Sequence, residues 1–271
     1  MQSTMPRLQR QLPPMHRQPE ESLGGWPSEL QRQLTGKRLH WWAERSISLA
    51  HPWRAGRLTP TYAAVDFEGT LELHSVRKVE TIQHRQQLRA LAHAYPFLRI
   101  VRVIENRKGL RADTIECKDA PPMIDPTPSE MRGILRKAQQ TPNRTELRYQ
   151  SLLARQMHGP WLRWWGFEKI TFLLGDDCRY TPDYFVVGRT PEGLLQLEAH
   201  EVKAYWRAKG KKARVGARED SIVKLRVAAH LYPFVRFVLA AEWTKGQFTL
   251  ETVSPGPPMQ RLGSVGSELR L

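Results

Sequence analysis

Three side chains in the C-terminal half of the sequence have the types and spacing that metal-assisted hydrolysis requires. Asp183 follows Pro182 inside the otherwise apolar run Tyr180–Val187, and a carboxylate in such a strand is costly unless something pairs with it. Glu201 and Lys203 stand in the alternating run LEAHEVK, so Leu197, Ala199, Glu201 and Lys203 share one strand face. Two carboxylates and a lysine that converge at adjacent strand ends can hold a divalent cation and orient a water. Phosphodiester cleavage needs such a set. The metal offsets charge building on the phosphate and lowers the pKa of its bound water, while the ammonium adds a second cation. Carboxylate oxygens suit Mg²⁺ or Mn²⁺. The structural alternative is a buried ion pair that closes a strand end.

The elements that must position these residues occur twice. Leu88–Gly109 (LRALAHAYPFLRIVRVIENRKG) and Leu225–Gly246 (LRVAAHLYPFVRFVLAAEWTKG) are identical at 12 of 22 positions without a gap. The match continues upstream. Arg57–Val65 pairs with Arg179–Val187, Leu71–Arg77 with Leu197–Lys203, and Trp41-Trp42 plus Ile47 with Trp164-Trp165 plus Ile170. Pro121-Pro122-Met123 echoes Pro257-Pro258-Met259 downstream. Such a match is an internal duplication. Each copy reads as a short helix, three strand-like runs, a helix and a buried strand. In the second copy the runs are Lys169–Leu174, Tyr180–Val187 and Leu194–Val202, then a helix Ser221–Leu231 stopped at Tyr232-Pro233, then a strand Phe234–Ala240. The order αβββαβ predicts an α/β fold, a mixed sheet flanked by helices, present in tandem.

Pro182-Asp183 followed by Glu201-Val202-Lys203, in this element order, resembles the signature of PD-(D/E)XK nucleases, the restriction-endonuclease-like superfamily. The EVK run, its aromatic, the basic loop and KLRVAAHLYPFVRFV are similar to an uncharacterised phage-encoded family of that superfamily. TnsA-like transposase cleavage subunits resemble it more distantly, though they usually carry glutamine where Glu201 stands. The resemblance covers about Asn143 to Val253. It implies that Asp183 and Glu201 are metal ligands, that Lys203 is the catalytic lysine, and that the Val202 carbonyl completes the metal shell. Members often add an acid from the first helix, here Glu146. Asn143-x-x-Glu146 is equally a capping box, and the two roles are compatible.

Aligned with Asp183, Glu201 and Lys203, the first copy has Thr61, Ser75 and Arg77, so its site cannot hold a cation in the same manner. It also lacks the longer basic loop of the second copy. That loop contains Arg207, Lys209, Lys211, Lys212, Arg214 and Arg218, beside Tyr205 and Trp206. Next to a nuclease motif it reads as a phosphate clamp, with the aromatics available to stack on an unpaired base. Lys224 would reach the phosphate or remain a solvated lysine. Arg77 retains a charge where Lys203 stands and would grip DNA. Glu198 and His200 point away from Glu201 and recur as Glu72 and His74, which indicates structure rather than chemistry. His93 and His230 read as core or cap histidines, and the Trp pairs as repeat core.

The formal charge of +15 and pI near 10.2 point to a polyanionic partner, nucleic acid first. The two cysteines, Cys117 and Cys178, have no metal or disulfide spacing, and no apolar run could span a bilayer, so a cytoplasmic setting without membrane attachment is expected. The expected organisation is a flexible basic arm (1–19), a degenerate nuclease-like domain (20–124), a linker (125–142), an active domain (143–260) and a tail (261–271). The expected activity is a Mg²⁺- or Mn²⁺-dependent DNA endonuclease of phage or mobile-element origin, a monomeric pseudo-dimer with one active site. The alternatives are a TnsA-like subunit that cuts DNA with a transposase or another phage or mobile-element partner, and a non-catalytic DNA-binding protein on the same fold.

Overall fold

The computed structural model describes residues 25–52, 56–107, 109–115, 141–190, 193–206, 214–215 and 219–253. The fold is mixed α/β, with four helices among the described residues. The first half runs α1 (Trp26–Thr35), β1 (Leu39–Glu44), β2 (Ile47–Ala50), β3 (Arg57–Leu58), β4 (Tyr62–Asp66), β5 (Leu71–Arg77), α2 (Ile82–Ala94), β6 (Arg99–Asn106) and β7 (Gly109–Ile115). The second half repeats this order. It runs α3 (Arg144–Gln156), β8 (Leu162–Phe167), β9 (Ile170–Leu173), β10 (Arg179–Tyr180), β11 (Tyr184–Arg189), β12 (Leu195–Trp206), β13 (Arg214–Val215), α4 (Glu219–Leu231), β14 (Val235–Thr244) and β15 (Gln247–Val253).

Each half forms a mixed sheet of the same order, β1-β4-β5-β6-β7 and β8-β11-β12-β14-β15, with one parallel pair apiece, β5/β6 and β12/β14. The parallel pair requires a crossover, which α2 and α4 supply. Both outer faces are closed by the first helix of each half. Trp26 and Leu30 of α1 pack with Leu39, Tyr62 and Val103, and Tyr149, Leu152 and Leu153 of α3 pack with Leu162, Tyr184 and Phe248. The inner faces share one core. It joins Leu73, Leu88, Leu91 and Ile100 of the first half to Phe172, Phe185, Leu225 and Phe237 of the second.

The junction is two-fold symmetric in its register. β2 pairs with β9 antiparallel as Ile47↔Phe172, Ser48↔Thr171 and Leu49↔Ile170, so equivalent strands meet about the Ser48/Thr171 position. The Tyr232 hydroxyl lies 2.8 Å from the Ser46 carbonyl and 2.6 Å from that of Leu173. Tyr95, its equivalent, reaches the carbonyls of Ala50 (2.7 Å) and Lys169 (3.5 Å). Trp41 packs on Tyr232 and Phe234, and Trp164 on Tyr95 and Phe97. The Trp pairs, expected as core, are half-buried and pack against it, Trp41 and Trp164 against the core between the halves and Trp42 and Trp165 against the outer cores.

Several sequence expectations need correction. Tyr180–Val187 is two strands, interrupted at Thr181–Asp183. Proline has no N–H for a ladder, and the Asp183 carbonyl instead accepts from Glu168 N–H at 2.9 Å. The run Lys169–Leu174 leaves its own sheet for the junction. Three strands of the second half were not expected: β8, which contains the Trp pair, the two-residue β13 within the basic loop, and β15, which returns through the Lys245-Gly246 turn (Gly246 φ 81°). His93 and His230 are exposed in the last turns of α2 and α4, positions that suit a cap and exclude the core. The arm, most of the linker, the tail and Cys117 lie outside the described residues. No described helix is long and apolar enough to cross a membrane.

Candidate active site

β12 outruns β11, and the site lies where it does so. Their antiparallel ladder stops at Tyr184↔His200, leaving Glu201, Val202 and Lys203 with β14 on one edge only. On the open edge the Val202 N–H donates to Asp183 Oδ2 at 2.6 Å. A strand residue presents its N–H and C=O to the same edge, so the Val202 carbonyl opens on this side too. Lys203 Nζ lies 2.6 Å from Glu201 Oε1 and 3.9 Å from Asp183 Oδ2. The three residues selected from the sequence therefore meet.

Their surroundings are short of positive charge. Burial and the neighbouring Glu201 raise the Asp183 carboxyl from its ordinary 3.8 to about 7, against the opposing pull of Lys203 and the Val202 N–H. Burial lowers the Lys203 pKa, but Glu201 and Asp183 outweigh it and the net shift is upward. Glu201 is buried and also accepts from the Tyr180 hydroxyl at 2.9 Å. A buried carboxylate beside another carboxylate favours either a neighbouring cation or a proton on one of the pair.

Two participants were not read from the sequence. Glu168 sits in the left-handed region (φ 47°) in the turn between β8 and β9, tied by its N–H to Asp183. Burial raises its carboxyl, Arg57 opposes, and Glu146 and Glu201 push it further up. Arg57 comes from the first half and donates to the carbonyls of Glu168 (2.7 Å) and Lys169 (3.2 Å). Nothing local in the sequence signals either residue. One depends on a turn conformation and the other on packing between the halves.

Glu146 forms the capping box. Its carboxylate accepts from Asn143 N–H at 2.8 Å, while Asn143 Oδ1 accepts from the N–H groups of Thr145 and Glu146. Its charge still acts on Asp183 and Lys203. The apolar stripe of α3 is Tyr149, Leu152 and Leu153, and Met157 is exposed at the C-cap rather than buried. Among the described residues no group of three or more His, Cys, Asp or Glu side chains is placed to hold a metal. The described residues bring together here two carboxylates, Asp183 and Glu201, and the Val202 backbone.

Of the basic loop, Arg207, Lys209, Lys211, Lys212 and Arg218 lie outside the described residues. Tyr205 and Trp206 end β12, and Arg214 lies in β13, which pairs with them. Half-buried Lys224 is 3.1 Å from exposed Asp220 on α4, an ordinary helix pair.

The first half confirms the alignment residue by residue. Arg45 takes the place of Glu168, with φ 48° and its N–H on the Thr61 carbonyl at 2.9 Å. The Val76 N–H donates to Thr61 Oγ1 at 3.0 Å, as Val202 does to Asp183. Ser75 Oγ lies 2.9 Å from His84 Nε2, and Arg77 is exposed. On the opposite sheet face both halves keep one relay. Tyr149–His200–Glu198–Arg236 in the second half matches Trp26–His74–Glu72–Arg99 in the first. Its presence in both halves marks it as structural.

No protein-family model matches the chain, and neither a curated protein nor a solved structure does.

Proposed function

We propose that the chain is a Mg²⁺- or Mn²⁺-dependent DNA endonuclease with one active site, in its second half, built on a duplicated core similar to that of PD-(D/E)XK nucleases. The observation that carries this reading is the meeting of Asp183, Glu201 and Lys203 on the open edge of β12, with the Asp183 carboxyl raised to about 7. The residues fit a hard divalent cation. Asp183, Glu201 and the Val202 carbonyl would hold it through oxygen, and it would supply an acidified water and a counter-charge for the phosphate. Lys203 keeps its proton and sets a cation beside the attacked group. Tyr180 fixes the free oxygen of Glu201. For Glu146 to add a ligand it must leave the Asn143 cap.

The first half has neither acid and sits across the pseudo-two-fold junction, as a second subunit would. In this reading it grips DNA and does not cut, so each encounter breaks one strand. The phage or mobile-element setting, and a transposase-like partner, follow from the resemblance alone. The test is the purified protein with Mg²⁺ on linear, nicked, flap and four-way DNA. Cleavage of at least one, abolished by chelation, supports the reading. Binding without cleavage of any, with or without Mn²⁺, counts against it.

A further inference from the structure

Where the second half has an acidic site, the first half has a basic one. Ser75 neighbours Arg102 in β6, whereas Glu201 neighbours Leu239 in β14. Through the Leu88/Leu225 repeat, Arg85 of α2 stands where α4 has Ile222. The Arg102 side chain is only 12% exposed, and its guanidinium is shared between Glu80, at 2.5 Å, and Asp113. Its Nε and the Nδ1 of the neighbouring buried His84 have no hydrogen-bond partner among the described residues. Arg85 joins Glu80 and Arg111 joins Asp113 from the solvent side. With Arg89 these side chains line an open cavity of about 380 Å³ between α2 and β6–β7.

We propose that this cavity binds an internal phosphodiester of the nucleic acid directly, with no metal ion. The proposal rests on nucleic acid being the partner, and not on cleavage by the second half. Four guanidiniums face two carboxylates, so the lining keeps positive charge after its own ion pairs are made. Guanidinium groups present planar forks that match phosphate oxygens. Glu80 and Asp113 hold Arg102 and its neighbours in place before DNA arrives, which reduces the ordering cost of binding. The N-terminus of α2, capped by Thr81 beside Glu80, adds its partial positive charge at the same end. The acidic half thus recruits phosphate through a cation, and the basic half supplies the cations itself.

The test measures binding of a blunt duplex without terminal phosphates, in EDTA, by fluorescence anisotropy over a salt series. Arg89→Gln with Arg111→Gln changes two exposed positions and spares buried Arg102, and a thermal melt checks its fold. Weaker binding is expected, with the log–log salt slope flatter by about 0.9 for each phosphate the variant no longer neutralises. Asp113→Asn, which frees Arg102 and Arg111 from one acid, is expected to tighten binding. An unchanged slope in the double variant overturns the proposal. So does a loss seen only with duplexes that carry a terminal phosphate. Because no divalent ion is present, the result is independent of cleavage: failure of all the DNA substrates to be cut would overturn the nuclease reading alone, and full cleavage by Asp183→Ala would overturn only the assignment of its site.

Discussion

In metal-free buffer, Asp183→Asn should stabilise the protein, and more so as the pH rises. The folded Asp183 carboxyl titrates near 7 and its unfolded value is near 3.8. Between those values the folded state holds a proton that the unfolded state has released, so stability falls as pH rises through this window. At pH 8 the cost of ionising Asp183 amounts to about 4 kcal/mol, and at pH 5 to less than about 2 kcal/mol. Asparagine removes the charge and keeps an acceptor for the Val202 N–H, which Asp183 Oδ2 now binds at 2.6 Å. The melting midpoint of the variant should therefore exceed that of the wild type by a margin that widens by about 5–10 °C from pH 5 to pH 8. Thermal melts of both proteins in EDTA measure this. Mg²⁺ added at pH 8 should raise the wild-type midpoint and leave the variant nearly unmoved. A margin that stays constant with pH would refute the reasoning, since the charge on Asp183 would then cost the fold nothing.

Lys203→Ala leaves Asp183 and Glu201 buried without their ammonium and should cost about 3–5 kcal/mol in metal-free denaturant melts at pH 8, partly recovered with Mg²⁺. Tyr232→Phe removes the hydroxyl that reaches the carbonyls of Ser46 and Leu173 across the junction and should cost about 1–3 kcal/mol by the same melts. Because the inner core is shared, residues 1–124 and 125–271 made as separate chains in one cell should co-purify, and each made alone should aggregate. Recovery of a folded, monomeric second half by itself would contradict that.

The duplication and the shared face of Glu201 and Lys203 were legible because both rest on sequence periodicity, and Asp183 stood out as a carboxylate beside Pro182 in an apolar run. A gapless repeat needs only comparison, and alternation puts Glu201 and Lys203 on one face. The Asn143 capping box was legible for a similar local reason. The break at Pro182 was obscured by the apolar residues on either side, which read as one strand. The destination of Ile170–Leu173 was not legible at all. Its partner, Ile47–Ala50, is remote in sequence, and each strand alone looks like an ordinary core strand of its own half. Glu168 escaped notice because its position follows from a left-handed turn residue that is not glycine. Arg57 escaped notice because its partners are carbonyls of the other half. His93 and His230 suited either a core or a cap, and only the helix faces decide between them.

The most direct measurement is a supercoiled-plasmid time course with Mg²⁺, comparing the wild type with Asp183→Ala at matched, sub-stoichiometric enzyme. Nicked circles are expected to accumulate before linear product in the wild type. The variant should be slower by at least about 10²-fold, the several kcal/mol that a bound divalent ion supplies to the transition state. Equal rates for the two proteins would contradict the assignment of the site, and linear product without a nicked intermediate would contradict the single active site.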